Sequence, residues 1–418
     1  MLQAGLMRLA KLWPNASLNV LTEWPENLVH FCPEAVPISA VGRNLWVGDD
    51  ILLGRFAKYV PYGLKHLASK AKRTAAWRFP ATTKCLLTLG LRAKSHLATN
   101  NQIAEINAIS EFSEAIAAAD LVVACGAGGF YDGCREWNMA TLDLIEAARQ
   151  RDIPAAMFGQ HFGPLTDAHV ISRAKQVLPQ VELITLRGGF ATKAMLESLG
   201  VATSRIQVTG DEAVELAYAA RPPCLGRDLA VNFRLRTSAH TSDSDIEMLR
   251  PILHEFARKH NVSLIPSPIA IDSLTSDYSA IKQLLQGFDE TSDGGASLRS
   301  PAEIIRQIGR SRVLVTCAYH AAVFALAQGI PVVALAKSSY FVEKFLGLKE
   351  RFGAGCEIVY LDHPDTSEKF RNVLETSWEI AEDVHVTLLQ SAVRQIQLGW
   401  KAYNDIKELV TNRGRGTP

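Results

Sequence analysis

The sequence predicts an α/β protein whose sheets are built from parallel strands. Short apolar runs alternate with helical segments along most of the chain, which is the pattern of repeated β-α-β units. The clearest unit lies in residues 311–335, where strand Val313–Thr316, helix His320–Gln328 and strand Val332–Leu335 follow one another. A chain of 418 residues is too long for one ordinary hydrophobic core, so we expect two such domains.

Two residues set the borders of that unit, and a polar pair interrupts it. Gly329 ends the helix, and Pro331 opens the second strand. Tyr319 and His320 fall where the first strand ends and the helix begins. Ligands bind at this position in open α/β sheets, and a helix N-terminus favours anions. On this stretch alone, a binding role for His320 and a purely local capping role are both open.

The composition excludes several classes of protein. The chain is 48% hydrophobic and 21% charged with a net charge of +1, which gives no reason to expect nucleic-acid binding. Its seven cysteines form no Cys-x-x-Cys pair, so we expect no metal site and a reducing, cytoplasmic location. No apolar run approaches the roughly 20 residues that a membrane span needs.

The domain borders follow from linker composition. We predict a first domain at 1–218, a second at 219–375, and C-terminal helices with a tail at 376–418. The first eleven residues resemble a helix without an N-cap, and a short strand follows at 18–22. Because an α/β domain normally opens with a strand, we expect the first strand of this domain to be missing.

Residues 51–104 form a basic segment. They contain ten Lys and Arg residues and no Asp or Glu, with Leu, Ala and aromatic residues between them. Such a segment can lie on an anionic membrane surface at the inner face of the membrane, which predicts a peripheral contact. Solvated helices with a basic face would have the same composition, and both interpretations are open.

Four successive strand ends in the first half carry glycines or charged residues. They are Gly126 to Phe130 with Gly128 and Gly129, Gly159 to Pro164 with Gln160 and Gly163, Arg187, and Gly210 to Glu212. In a parallel sheet these ends lie on one edge, so together they predict a binding cleft. The first loop is not Gly-x-Gly-x-x-Gly, so the dinucleotide-binding pattern is not met.

Taken in order, these residues resemble the polysaccharide pyruvyl transferase family. The matching segments lie between about 110 and 350. They are Asp120 to Phe130, Gly159-Gln-x-x-Gly-Pro164, Ile184 to Arg187 with Leu199-Gly-Val201, Gly210-Asp211, and Tyr319-His320-Ala321 with Gly329-x-Pro331.

The resemblance implies a fold and a reaction. It implies a GT-B-like architecture, in which two Rossmann-like domains face each other across a cleft. It also implies transfer of a pyruvyl group from phosphoenolpyruvate to two hydroxyls of an exopolysaccharide or cell-envelope sugar, free or lipid-linked. The product is a cyclic ketal, phosphate is released, and no metal or other cofactor is required.

The resemblance also implies roles for named residues. His320, Asp211 and Glu212 are the expected catalytic residues: His320 as a phosphate ligand or general acid, and a carboxylate to orient or deprotonate a hydroxyl. The expected substrate-binding residues are Arg187, Arg234, Gly126, Gly128, Gly129, Gln160, Gly163, Tyr319, Ala321, Lys337 and Lys344. A phosphate and a carboxylate need cations and helix N-termini, which these positions supply. For at least one of the two lysines we favour a solvated surface charge.

The chain departs from the family pattern at three positions near these residues. The family has Arg two residues before the His, whereas this chain has Ala318. It has Asp and Ser after the first-domain Arg, where Gly188 and Ala191 stand here. Two other functions therefore stay open: a sugar-nucleotide glycosyltransferase on the same fold, and a non-catalytic partner in polysaccharide assembly.

Overall fold

The structure is a computed structural model that describes residues 1–41, 43, 100–126, 129–235, 240–270 and 277–415. All ten basic residues of the 51–104 segment lie outside these ranges, and so does Gly128. The membrane contact predicted for that segment therefore stays a prediction. Within the described ranges, no helix combines the length and the apolar character needed to cross a bilayer.

The first sheet has four parallel strands in the order β3-β4-β5-β6. These strands are β3 (Val122–Cys125), β4 (Ala155–Gln160), β5 (Leu183–Leu186) and β6 (Ile206–Val208). The helices α4 (Arg135–Arg149), α5 (Ala168–Val177) and α6 (Phe190–Ser198) connect them. Strands β4 and β5 are buried along their whole length, which explains their continuous apolar runs. All four strands point the same way, so their carboxyl ends share one edge.

A smaller unit precedes this sheet. It consists of α1 (Leu2–Leu12), β1 (Leu18–Thr22), α2 (Pro25–Phe31), β2 (Ala35–Ser39) and α3 (Asn100–Ala117). Strands β1 and β2 pair in parallel with each other and form a two-stranded sheet of their own. The helix and strand predicted at the start of the chain are confirmed.

The second sheet has five parallel strands in the order β11-β10-β9-β7-β8. Its strands are β7 (Asp228–Asn232), β8 (Leu264–Pro266), β9 (Ser311–Thr316), β10 (Val332–Ala336) and β11 (Cys356–Tyr360). Its helices are α7 (Ala213–Ala219), α8 (Asp243–His260), α9 (Asp277–Leu285), α10 (Pro301–Ile308), α11 (Tyr319–Ala327) and α12 (Ser339–Phe352). The β9-α11-β10 unit therefore confirms the predicted β-α-β unit, with β9 at the centre of the sheet.

Local sequence signals account for the borders of several elements. Helix α10 begins with a capping box, in which the Ser300 hydroxyl accepts a hydrogen bond from the Glu303 N–H at 3.3 Å. The Glu303 carboxylate accepts the Ser300 N–H in return at 3.0 Å. Helix α11 is apolar on every side because α7, α10, α12 and α14 (Ala381–Arg415) surround it.

Loops follow β3 and β7. After β3, helix α4 begins at Arg135, directly after a short 3₁₀ turn. The Asp132 carboxylate accepts hydrogen bonds from the Thr166 and Asp167 N–H groups at 2.8 Å and 3.0 Å, and this anchors the turn. Strand β7 ends at Asn232, so Arg234 lies in the following loop.

The C-terminal helices join the two halves of the molecule. Helix α13 (Thr366–Glu379) packs on the second sheet, and the 35-residue α14 follows it. Helix α14 contacts α1, α7 and β5 as well as α11 and α12, so it packs against both halves of the molecule. Two parallel sheets with flanking helices and a long returning C-terminal helix make the α/β, GT-B-like architecture that the sequence predicts.

Candidate active site

The centre of the candidate site is the carboxylate of Asp211, which lies just beyond β6. Its Oδ1 accepts a hydrogen bond from the Ala213 N–H at 2.9 Å, at the start of α7. Its Oδ2 lies 3.2 Å from Nη1 of Arg187 and 3.7 Å from Nε2 of His320. Asp211 therefore lies between Arg187, a cation at the edge of the first sheet, and the imidazole of His320 at the edge of the second sheet. Burial alone would raise the pKa of Asp211, but His320, Arg187 and the Ala213 N–H together hold it below its ordinary value.

Arg187 follows β5, and both Arg187 and its ion-pair partner Asp211 are buried. Its Nη1 donates to Asp211, and Sδ of Met1 lies 3.3 Å from the same nitrogen. The guanidinium carbon lies 4.4 Å from the centre of the Tyr319 ring, a cation-π distance. The Nε atom of Arg187 is buried and has no hydrogen-bond partner in the described part of the chain. The Arg187 guanidinium therefore has an N–H donor available for a ligand.

His320 is the second residue of helix α11. About 35% of its side-chain surface is exposed, yet the Nε2 atom itself is shielded and makes no hydrogen bond within the described ranges. The 3.7 Å separation from Asp211 is too long for a hydrogen bond. Burial lowers the pKa of His320 to about 3; Asp211 opposes this shift, while Arg187 and Lys344 reinforce it. The ring is therefore neutral at pH 7 in the ligand-free protein.

A cavity of about 170 Å³ lies beside this centre. Arg187 and Tyr319 line it, together with Lys344 from α12. Lys344 is nearly buried, donates to the Tyr340 hydroxyl, and places Nζ 5.7 Å from the centre of the Tyr319 ring. Two cations therefore flank one aromatic ring, and the cavity favours a small anion.

The two halves of the molecule touch around this cavity. Tyr131 and Tyr340 stack with ring centres 4.3 Å apart and an angle of 26° between the planes. Gly188 and Gly347 bring two backbones together, since a Cβ on Gly188 would lie 3.2 Å from Cα of Gly347. A side chain at position 188, as in the usual family pattern, would require the two backbones to separate.

One cavity residue was absent from the sequence-based list. His161 follows β4, is only 5% exposed, and lines the cavity. Its Nε2 has no hydrogen-bond partner among the described residues. Burial, with smaller contributions from Arg187 and Lys344, lowers its pKa to about 3. Its position in the Gly159–Pro164 loop, at a strand's carboxyl end, was the signal that pointed to it.

Three predicted site residues lie away from the cavity. Glu212 turns to α14, where its Oε1 accepts a hydrogen bond from Tyr403, and burial raises its pKa. Arg234 binds both carboxylate oxygens of the buried Asp277, at 2.6 Å and 3.1 Å. Lys337 contacts both oxygens of Asp245 at 3.2 Å and 3.3 Å. The structure does not bring these three side chains to Asp211 and His320.

The predicted glycines at the strand ends allow close packing. A Cβ on Gly126 would lie 2.5 Å from the Gly159 carbonyl oxygen, and one on Gly129 would lie 2.8 Å from the Trp137 ring. Gly163 has φ +104° and donates its N–H to Phe130 at 2.9 Å.

Gln160 and Ala321 are also packed into the interior. Gln160 is buried, and its Nε2 donates to the carbonyls of Ala124 and Phe158 at 2.9 Å and 3.0 Å. Ala321 is fully buried in α11. Like the strand-end glycines, these two residues shape the edge rather than present charge to a ligand. Across the described residues, no group of three or more His, Cys, Asp or Glu side chains is arranged to hold a metal ion.

Comparison of the sequence with known families identifies its relatives. The model of the family described as "Polysaccharide pyruvyl transferase" matches residues 1–339, which is most of the chain. The chain belongs to the polysaccharide pyruvyl transferase family. No curated protein sequence matches it at a significant level. The family match ends at Ser339, the first residue of α12, so Lys344 and the whole of α14 lie beyond it.

Three solved structures illustrate the similarity of the fold. The "S. aureus MnaA-UDP co-structure" has a TM-score of 0.46 and 12% identity, covering 94% of this chain and 96% of that one. The UDP-GlcNAc 2-epimerase from Neisseria meningitidis bound to UDP-GlcNAc has a TM-score of 0.45 and 13% identity, covering 76% and 84%. CalG4, the calicheamicin glycosyltransferase, has a TM-score of 0.46 and 12% identity, covering 100% and 95%.

For a polysaccharide pyruvyl transferase, Ala318 is the main departure at the site. Ala318 precedes α11, is buried, and donates its N–H to the Thr316 hydroxyl at 2.8 Å. It offers no charge to a ligand. Two cations that the structure brings to this site come from the end of β5 and from α12, namely Arg187 and Lys344.

Proposed function

We propose that this member of the family transfers the pyruvyl group of phosphoenolpyruvate to two hydroxyls of an exopolysaccharide or cell-envelope sugar. The observation that carries the proposal is the Arg187–Asp211–His320 cluster, which joins the two sheet edges beside a small cavity that Arg187 and Lys344 line. Its volume of about 170 Å³ is below the roughly 300–1,000 Å³ of pockets for drug-sized ligands. A small donor with two acidic groups matches this cavity better than a sugar nucleotide does.

The first step joins one sugar hydroxyl to C2 of the donor. His320 is neutral, and its Nε2 faces the ionised Asp211, which favours the tautomer with the proton on Nε2. Its Nδ1 is then free to accept the hydroxyl proton as a general base. Asp211 stabilises the imidazolium that forms, and this imidazolium delivers the proton to C3, which becomes the methyl group.

The second step releases phosphate. The second hydroxyl forms a C–O bond to C2 as the C2–O bond to phosphate breaks, and the electron pair of that bond leaves on the phosphate. The hydroxyl proton leaves with the phosphate, so two hydroxyls and one donor give one ketal and one inorganic phosphate. Arg187 and Lys344 stabilise the charge that develops on the leaving group.

Phosphate release in the presence of phosphoenolpyruvate and a panel of nitrophenyl glycosides tests this function. The panel carries free 4,6- or 3,4-hydroxyl pairs on glucose, galactose, mannose and N-acetylmannosamine. We expect His320→Gln and Asp211→Asn to lower the rate by at least about a hundredfold, in line with general acid–base catalysis. Lys349→Gln, an exposed change on the same helix as Lys344, is the control and should keep the wild-type rate.

Ligand binding separates the competing functions. Thermal stabilisation by phosphoenolpyruvate, and none by UDP-glucose, supports the proposal. Stabilisation by UDP-glucose alone would replace it with a sugar-nucleotide glycosyltransferase. No stabilisation by either compound would favour a non-catalytic partner in polysaccharide assembly. The lipid-linked acceptor and the membrane contact through 51–104 remain predictions.

A further inference from the structure

The cavity beside Arg187 is closed on one side by the first turn of α6. Gly189 precedes this nine-residue helix with φ +72°, and Ala191 and Thr192 in its first turn line the cavity. The first N–H groups of a helix have no partner within the helix and carry a partial positive charge. This end of α6 therefore adds anion-binding groups to those of the side chains.

Two buried side chains at the same cavity carry polar atoms that lack partners. His161 is 5% exposed, and its Nε2 makes no hydrogen bond to any described residue. Arg187 is 2% exposed, and its Nε is likewise unsatisfied by the described chain. A buried polar atom without a partner costs free energy, so natural proteins retain such atoms where a ligand or an ordered water satisfies them.

The charges around the cavity indicate which anion it holds. Arg187 and Lys344 lie 4.4 Å and 5.7 Å from the centre of the same Tyr319 ring. Two cations and a helix N-terminus match a doubly charged phosphate better than a singly charged carboxylate. Glu343 and Glu350 also line the cavity, but both are exposed, so solvent screens the repulsion between their carboxylates and a bound anion.

We propose that this cavity is a phosphate subsite in which His161 is a binding residue, donating a hydrogen bond to a phosphate oxygen beside Arg187, Lys344 and the first turn of α6. The ring of His161 is neutral, so the donor is an uncharged imidazole N–H. The proposal rests on the proposed function for the identity of the donor substrate. It then follows that the phosphate lies in this cavity and the enol carbon points to His320 and Asp211.

Calorimetric titration of the full chain with inorganic phosphate tests the subsite without requiring turnover. We expect His161→Leu, which removes the donor and keeps a side chain of similar bulk, to weaken phosphate binding about two- to tenfold. His161→Gln restores a donor and should bind more tightly than His161→Leu. Lys344→Met should weaken binding about tenfold or more, because it removes a charge-assisted contact. His363→Gln, an exposed histidine on the surface, is the matched control.

Three outcomes would overturn the subsite. They are wild-type protein that does not bind phosphate, a folded His161→Leu protein that binds phosphate as tightly as the wild type, and acetate that binds as tightly as phosphate. If His161→Leu does not fold, as judged by circular dichroism, His161→Gln and Lys344→Met decide: wild-type affinity in both overturns the subsite.

The two proposals fail separately. Phosphate binding that depends on His161, without any turnover of phosphoenolpyruvate, leaves the subsite standing and removes the proposed reaction. Turnover of phosphoenolpyruvate, with phosphate binding that does not depend on residue 161, leaves the proposed reaction standing and removes the subsite.

Discussion

The buried histidine His161 predicts a loss of stability in mild acid. Its pKa is about 3 in the folded protein, against about 6.5 for an ordinary histidine. Between these two values the unfolded chain binds a proton that the folded chain does not. Stability is therefore fully present above about pH 6.5 and falls as the pH drops from there towards 3.

The size of this effect follows from the two pKa values. Lowering the pH from 7 to 5 protonates an ordinary histidine almost completely and leaves His161 neutral, which costs about 2 kcal/mol of folding free energy. The side chain is only 5% exposed, so solvent screens little of this cost. For a domain of roughly 200 residues, 2 kcal/mol corresponds to a decrease of about 4–8 °C in Tm.

Differential scanning calorimetry at pH 7 and pH 5 measures the effect in wild-type and His161→Gln protein. Other titrating groups shift both proteins, so the informative quantity is the difference between their two pH-induced changes in Tm. We expect the wild type to lose about 4–8 °C more than the variant in the transition of the first domain. Equal shifts in the two proteins would refute the assignment of a depressed pKa to His161.

Two further predictions concern the long C-terminal helix. Tyr403→Phe leaves the buried Glu212 carboxylate without its hydroxyl donor and should lower the unfolding free energy by about 1–3 kcal/mol in urea titration; unchanged stability would show that the contact contributes nothing. Gly210→Ala adds a Cβ 2.9 Å from Cδ of Gln395 at φ +95°, and should destabilise more than Gly353→Ala, which has φ +76° and open space around it. Equal Tm values for the two glycine variants would contradict the tight contact with the helix.

The elements of the fold were predictable where local signals agree. Helix α8 spans Asp243–His260, because a capping box at Ser242 and Asp245 starts it and Asn261 in a left-handed conformation ends it. The β9-α11-β10 unit was equally clear, since its strands are buried on both faces. Both signals lie within a few residues of the element they define.

The charged residues of the site were predictable only in part. Arg187, Arg234 and Lys337 all lie near the carboxyl end of a strand, and no local signal ranks one of them above the others as a ligand-binding residue. Arg234 is paired with Asp277, 43 residues away, and Lys337 with Asp245, 92 residues away. In each pair the carboxylate occupies N–H donors that a ligand would otherwise use. The structure therefore adds no support for a role of Arg234 or Lys337 in substrate binding. Such pairings depend on how the loops fold over the sheet, which strand and helix periods do not describe.

The Asp211–Glu212 pair shows why adjacent residues in one motif can have different roles. The two carboxylates follow β6 directly, yet Asp211 faces Arg187 and His320 whereas Glu212 faces Tyr403 on α14, 191 residues later in the chain. Side chains alternate between the two faces of a sheet only within a strand, and both carboxylates lie beyond β6. The sequence therefore did not show which of the two faces Arg187 and His320. The long C-terminal helix α14 distinguishes the two carboxylates, because its Tyr403 donates a hydrogen bond to Glu212. Burial raises the pKa of Glu212, whereas Arg187 and His320 hold the pKa of Asp211 low. One carboxylate is therefore committed to the contact with α14, and the other stays ionised beside Arg187 and His320.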